Sequence, residues 1–174
     1  PAASPAELLA AVRTYEAAVN RHDWRAVAPL LAEEVTVDLG GGLSLVGLEA
    51  VKRLHGWERS LRTEIHYSAC VASGDLVTCR AAETNEFTRL AGLDPIVYSA
   101  SELQFVGGRL ARMSATLDEA SASAVSASLA PFLAWATAFG PASVSEFVRP
   151  DGSFAFSDAA GDQFTRLLRI YQAL

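Results

Sequence analysis

A protein working without a cofactor moves protons with carboxyl, phenol and imidazole groups, and this chain places one of each in a stretch that reads as regular structure. Asp38 lies in "EEVTVDLGG", Tyr15 in "VRTYEAAVN" and His66 in "LRTEIHYSACV". Proton abstraction beside a carbonyl needs a base near the operating pH and a donor for the developing oxyanion. Tyr15 can supply the donor, and His66 can shuttle a proton near neutrality without special tuning. Each has a plainer alternative: Tyr15 also fits a core aromatic whose hydroxyl meets a backbone carbonyl, and His66 a strand histidine that faces solvent or is satisfied in the core. Asp38 depends on strand alternation, which puts Val35, Val37 and Leu39 on the inward face and Thr36 and Asp38 on the other. Its carboxylate is therefore expected to point away from any cavity, unless a bulge at Gly40 to Gly42 slips the register.

Other polar residues read as peripheral. Glu83, Asn85 and Glu86 fall in one expected strand, so at least one carboxylate shares a face with Asn85, and Glu102 lies on a neighbour. Residues spaced by two form either the outward face or a row on the cavity wall, and outward is the expectation because an unpaired buried carboxylate is costly. Met113, flanked by Ala111, Ala115 and Leu117, fits either cavity lining or plain core. His22 belongs to a break between helices. No glycine-rich phosphate loop, nucleophile elbow or metal-spaced His/Cys/Asp cluster occurs, so nucleotide, metal and covalent hydrolase readings lose weight, and neither metal nor cofactor is expected.

The elements that would position these groups follow from periodicity. Ser4 caps a helix beginning at Pro5, with Leu8, Leu9, Val12, Tyr15, Ala18 and Val19 at helical spacing. Asp23 caps a second, "WRAVAPLLAEE". "VTVDL" and "LSLVG" read as short strands around the "GGG" turn, and "LEAVKRLHGWERSL" as a third helix. Strand-like runs follow at 64–72, 76–88, 96–106 and 109–117, separated by the turn signals "SGD", "AGLDP" and "GG". Helices first and antiparallel strands afterwards predict an α+β domain with helices packed on one face of a curved sheet. Beyond it, "DEASASAVSASLA" permits a helix of small side chains or a loosely ordered connection, Pro131 starts a further helix ending at Gly140, and "GDQFTRLLRIYQAL" closes the chain as another.

The stretch from "VRTYEAAVN" through "RHDW", "LAEEVTVD" and the glycine turn to "GLEAVKRL" resembles the opening of the nuclear transport factor 2-like superfamily, which includes ketosteroid isomerase, SnoaL-like polyketide cyclases and scytalone dehydratase. "SASELQFVGGRLARMSATL" is similar to its closing hairpin, and the resemblance covers about residues 7–117. It implies a cone: a curved antiparallel sheet wrapped around the N-terminal helices, enclosing a mostly apolar pocket for a small apolar molecule, in a protein that dimerises through the sheet. Residues 1–117 would form this domain and residues 118–174 a helical extension packed on it or on a partner subunit. Matched to ketosteroid isomerase, Tyr15 falls on the helix-one tyrosine, His55 near a pocket tyrosine, Ser101 where the family has a protonated aspartic acid, and Leu39 on the strand-one base. His66 resembles the catalytic histidine of scytalone dehydratase after "LRT". The implied site is thus Tyr15, His66, His55 and Ser101 for proton handling, with Leu39, Trp57, Met113, Leu103 and Phe105 around the ligand, in an interior holding few titrating groups. The reaction would be a cofactor-independent isomerisation, cyclisation or dehydration. Replacement of two strong acid-base positions by Leu39 and Ser101 leaves a non-catalytic binding or dimerisation module as the alternative.

The chain has 174 residues, about half of them apolar and 20% charged, with a net charge of -6. That length fits one domain carrying a terminal elaboration. Its 14 Lys and Arg are scattered, so nucleic acid is not an expected partner. No run reaches the ~18 apolar residues that span a bilayer, and the start lacks a secretory pattern, so a cytoplasmic protein without membrane contact is expected. Cys70 and Cys79 fall on neighbouring strands, where a bridge is sterically conceivable, but buried free thiols are the expectation.

Overall fold

The computed structural model describes residues 3–40, 43–93 and 95–174; Gly41 and Gly42 of the glycine turn, and Asp94 of "AGLDP", lie outside them. Helix α1 (Pro5–Asn20) opens on a reciprocal cap: the Ser4 side chain accepts from the Glu7 amide, and the Glu7 carboxylate accepts from the Ser4 amide at 2.7 Å. Its buried stripe is Leu8, Val12, Tyr15 and Ala18. Helix α2 (Trp24–Val27), capped by Asp23, is shorter than its sequence suggests. Pro29 cannot donate an amide hydrogen, residues Ala28–Leu30 tighten into a 3-10 turn, and strand β1 (Leu31–Asp38) begins where the helix was expected to run on to Glu34.

Strand β2 (Ser44–Val46), helix α3 (Leu48–Ser60), and strands β3 (Glu64–Ser73) and β4 (Leu76–Thr84) follow. Strand β4 stops short of residue 88 because Asn85 caps helix α4 (Glu86–Ala91): its side chain accepts from the Thr88 amide while Thr88 Oγ1 accepts from the Asn85 amide. Strands β5 (Ile96–Val106) and β6 (Arg109–Leu117) complete a six-stranded curved, unclosed sheet in the order β2-β1-β6-β5-β4-β3. Neighbours are antiparallel except β1 and β6, which run parallel. The α+β architecture is as expected; the sheet is mixed at that one pair. Helix α1 borders the outer edge of β3, where Asn20 accepts from the Ile65 amide at 2.9 Å and donates to the Ile65 carbonyl at 2.8 Å, and Glu16 accepts from the Tyr67 amide at 3.2 Å.

The cysteines are bonded to each other rather than free, with Cα atoms 4.1 Å apart. Ala69 takes a left-handed conformation (φ 49°), and the β3–β4 register shifts between Ser68 and Val71. That bulge turns Cys70 toward Cys79, a placement that strand alternation alone does not give.

The C-terminal extension comprises α5 (Glu119–Phe139), α6 (Pro141–Val144) and α7 (Asp158–Gln172). Asp118 caps α5, which runs through Pro131 instead of restarting there, and Gly140 ends it. By length and composition α5 is apolar enough to cross a membrane, where no such stretch was expected. Two cores result. One fills the cone with Leu8, Val12, Val27, Leu31, Val35, Val77, Leu103 and Leu110. The other joins the far side of α3 to α4 and the extension through Trp57, Leu61, Phe87, Phe132, Phe147, Phe164 and Leu168. Helices α3 and α7 cross so closely that a Cβ on Gly161 would stand 2.7 Å from Ser60 Cβ and 3.2 Å from the Trp57 carbonyl. Arg59 pairs with Asp158 across the same crossing, and Ser60 Oγ donates to the Asp158 carbonyl at 2.9 Å.

Candidate functional site

Helical spacing aims one face of α3 into the cone. Val51, Leu54, His55 and Glu58 share it, while Gly56, Trp57, Ser60 and Leu61 face the extension. On β4, Val77, Cys79 and Ala81 are at most 2% exposed, and Glu83 follows in the same phase. Register places Ile65 beside Glu83, Tyr67 beside Ala81 and Ser101 beside Cys79, so these also face inward. Tyr98 joins them through a bulge in β5, which fits three steps from Tyr98 to Ser101 against two from Ala81 to Cys79.

The cavity so formed has a volume of about 180 Å³. Its apolar wall includes Val19, Trp24, Val37, Leu54, Leu103 and Met113; its polar wall holds Tyr15, His55, Glu58, Thr63, Tyr67, Glu83, Tyr98 and Ser101. Several titrating groups therefore occupy an interior that was expected to hold few.

Glu83 was expected outward and is instead the best-anchored group inside. Tyr98 Oη donates to its Oε2 at 2.8 Å and Asn85 Nδ2 to its Oε1 at 2.8 Å. Burial raises its pKa, and those two hydrogen bonds pull it back. Glu58 lacks such donors. Burial and then the Glu83 charge push it up to about 8, and Thr63, whose hydroxyl is outside hydrogen-bond geometry, opposes this weakly. The two donors make Glu83 the carboxyl better able to carry charge, and Glu58, without them, the one better able to keep a proton. Burial also raises the phenols of Tyr15, Tyr67 and Tyr98, so all three stay protonated and able to donate. His55 is lowered, chiefly by burial, with the His22 backbone opposing, and is neutral near pH ~7. Its ring lies 5.6 Å from that of Trp24. His55 Nε2, Thr63 Oγ1 and Ser101 Oγ are buried without hydrogen-bond partners.

Of the residues singled out from sequence, Tyr15, His55, Ser101, Leu39, Leu103 and Met113 border the cavity. Three do not. His66 alternates out of phase with Ile65 and Tyr67; its side chain is 67% exposed and Nδ1 lies 3.2 Å from Glu16, so Tyr15 and His66 do not form a pair inside the cone. Trp57 turns to the extension, packing on Phe154, Phe156 and Phe164. Phe105, beyond a register irregularity in β5, is core. Asp38 and Leu39 both border the cavity, so Asp38 is not wholly turned away; its carboxylate accepts from the Gly40 amide at 3.0 Å. Lining residues end at Ala115, so the extension adds none. Among the described residues no cluster of three or more His, Cys, Asp or Glu is arranged to hold a metal.

Solved structures share this architecture. A putative ketosteroid isomerase from Kribbella flavida superposes with a TM-score of 0.56 at 22% identity, over 66% of this chain and 80% of that one. A putative polyketide cyclase from Sinorhizobium meliloti gives 0.53 at 20% identity, over 61% and 93%. An LEH-like epoxide hydrolase from M. tuberculosis gives 0.59 at 13% identity, over 75% and 97%. At these identities the likeness shows the fold. No curated protein matches the chain. The model of the SnoaL-like domain matches residues 12–113, more than half of the chain, from within α1 to within β6, and the chain therefore belongs to the SnoaL-like family.

Proposed function

We propose that the cone catalyses cofactor-independent proton transfer on a small, largely apolar molecule, in an isomerisation, cyclisation or dehydration. The observation that carries this is the Glu58–Glu83 pair: two carboxyl groups in one cavity, one fixed by two hydrogen bonds and one without donors. Such a pair offers an acceptor and a donor side by side. Glu83, oriented by Tyr98 and Asn85, takes the proton; Glu58 holds one at neutral pH to deliver to, or hydrogen-bond, the developing oxyanion. Tyr15 and Tyr67 add protonated phenols. Asn85 is a positioning residue, since the same side chain that caps α4 donates to Glu83.

The test is solvent deuterium incorporation into a panel of small cyclic ketones and hydroxy ketones, followed by NMR. Glu83→Gln and Glu58→Gln should each slow exchange by about 10²- to 10⁴-fold with the fold intact by circular dichroism. Exchange that persists undiminished in both variants would remove the assignment. A non-catalytic binding module is the second reading, favoured by Leu39 and Ser101 at positions where relatives of this fold carry acid-base groups. In the same reading the protein is a homodimer formed through the outer sheet face, where Val71 is 67% and Val106 62% exposed; sedimentation velocity at micromolar concentration tests that.

A further inference from the structure

We infer that the occupant of the cavity is an organic cation, a small amine on a hydrocarbon body bound in its ammonium form against Glu83. This rests on the proton-transfer reading for the claim that the occupant is turned over, and deepens it by naming a substrate class.

Four features of the lining lead here. First, among the described residues it contains the Glu58 and Glu83 carboxyls, with Asp38 and Glu102 also bordering the space, but no Lys or Arg. The charge on Glu83 is hydrogen-bonded yet has no counter-ion among the cavity residues, and an uncompensated charge in a low-dielectric site is unfavourable. A monocation beside it restores neutrality while Glu58 keeps its proton. Second, the aromatic side chains of Tyr15, Trp24, Tyr67 and Tyr98 line the same space, and aromatic faces attract cations. Third, three residues bordering the space carry buried polar atoms left over: Ser101 is 3% exposed, Thr63 8% and His55 9%, and Oγ, Oγ1 and Nε2 respectively have no partner among the described residues. An ammonium group is a pure donor and needs such acceptors. Fourth, the volume of about 180 Å³ suits one ring with a short substituent, since a dry cavity of ~150 Å³ holds benzene. The described lining has no group that would compensate a carboxylate or phosphate ligand.

Three ligands of matched size test the idea by titration calorimetry on the full chain at pH ~7.5: benzylamine, benzyl alcohol and benzoate. Benzylamine should bind at least ~10-fold more tightly than benzyl alcohol, with benzoate weakest; one decade corresponds to a single favourable ionic contact of ~1.4 kcal/mol. In Glu83→Gln the amine's advantage should shrink to less than ~3-fold. The unmodified protein is decisive by itself if the variant fails to fold. Benzyl alcohol matching benzylamine, benzoate binding best, or no heat from any of the three or from 2-naphthylmethylamine would overturn the inference. Loss of the amine preference alongside carboxyl-dependent exchange on neutral ketones would sink this inference alone; amine preference without any exchange would sink the catalytic reading alone.

Discussion

Helix α3 separates two buried regions built on opposite plans. On one side, Leu54, His55 and Glu58 border a space whose polar atoms are incompletely partnered. On the other, Trp57 meets Phe154, Phe156 and Phe164 with ring centroids 5.2 to 5.6 Å apart, and Gly161 lets α7 approach until no side-chain atom fits between the helices. The first region keeps room, acidity and unsatisfied hydrogen bonds, all of which cost stability. The second is closely packed and has Thr165 Oγ1 as its orphaned hydroxyl. The comparison teaches that the extension steadies the cavity wall from behind without entering it.

The largest break should come from the packed side. Phe164 touches the rings of Trp57, Phe87, Phe132, Phe147 and Phe154, so Phe164→Ala should cost about 3–5 kcal/mol by denaturant titration, while ligand affinity of the protein that remains folded stays within about twofold. A parallel loss of affinity would mean that the two regions are one. Next, Gly161→Ala should cost about 2–3 kcal/mol, because its Cβ meets Ser60 Cβ and the Trp57 carbonyl; an unchanged melting temperature would show that the crossing has slack.

Two smaller effects belong to the cavity side. Reducing the Cys70–Cys79 bond frees a short loop, with an expected cost of about 2 kcal/mol. Because Cys79 pairs with Ser101, the change should be seen in cavity amides by NMR and not in α7. The smallest effect, reckoned per pH unit, is the pH slope, at most about 1.4 kcal/mol per unit for one group. The Glu58 carboxyl is held at about 8 against an ordinary 4.5. A raised carboxyl contributes stability that is fully present below its unfolded value and lost as pH rises through the folded one. The melting temperature should therefore drift down between about pH 5 and about pH 8, and Glu58→Gln should flatten that drift; a variant with the parent's slope would place the titration elsewhere.

Much of the fold was legible because its signals are local. Ser4 and Asp23 cap α1 and α2, and the strands from β3 to β6 fall near their turn signals. Misreadings gather where tertiary context overrides local preference: Pro29 truncates α2, Asn85 turns the end of a strand into α4, and α5 continues through Pro131. The site divided the same way. Tyr15, His55 and Ser101 could be placed by resemblance, but Tyr98 enters through a bulge that plain alternation assigns to the wrong face. Glu83 was in phase with Val77, Cys79 and Ala81 and could have been found from that alone. The cost of an unpaired buried carboxylate argues for the outer face, and the partners of Glu83, Tyr98 and Asn85, become visible only once the strands are assembled.

The contacts from α1 to the margin of β3 bear on how the molecule keeps to itself in a crowded solution. With the Ile65 amide and carbonyl and the Tyr67 amide already engaged by Asn20 and Glu16, the Ile65–Tyr67 stretch of that border offers an incoming extended peptide no free groups at those three points. Two polar side chains of the opening helix thus oppose strand addition along this stretch, and Asn20→Ala with Glu16→Ala should increase self-association.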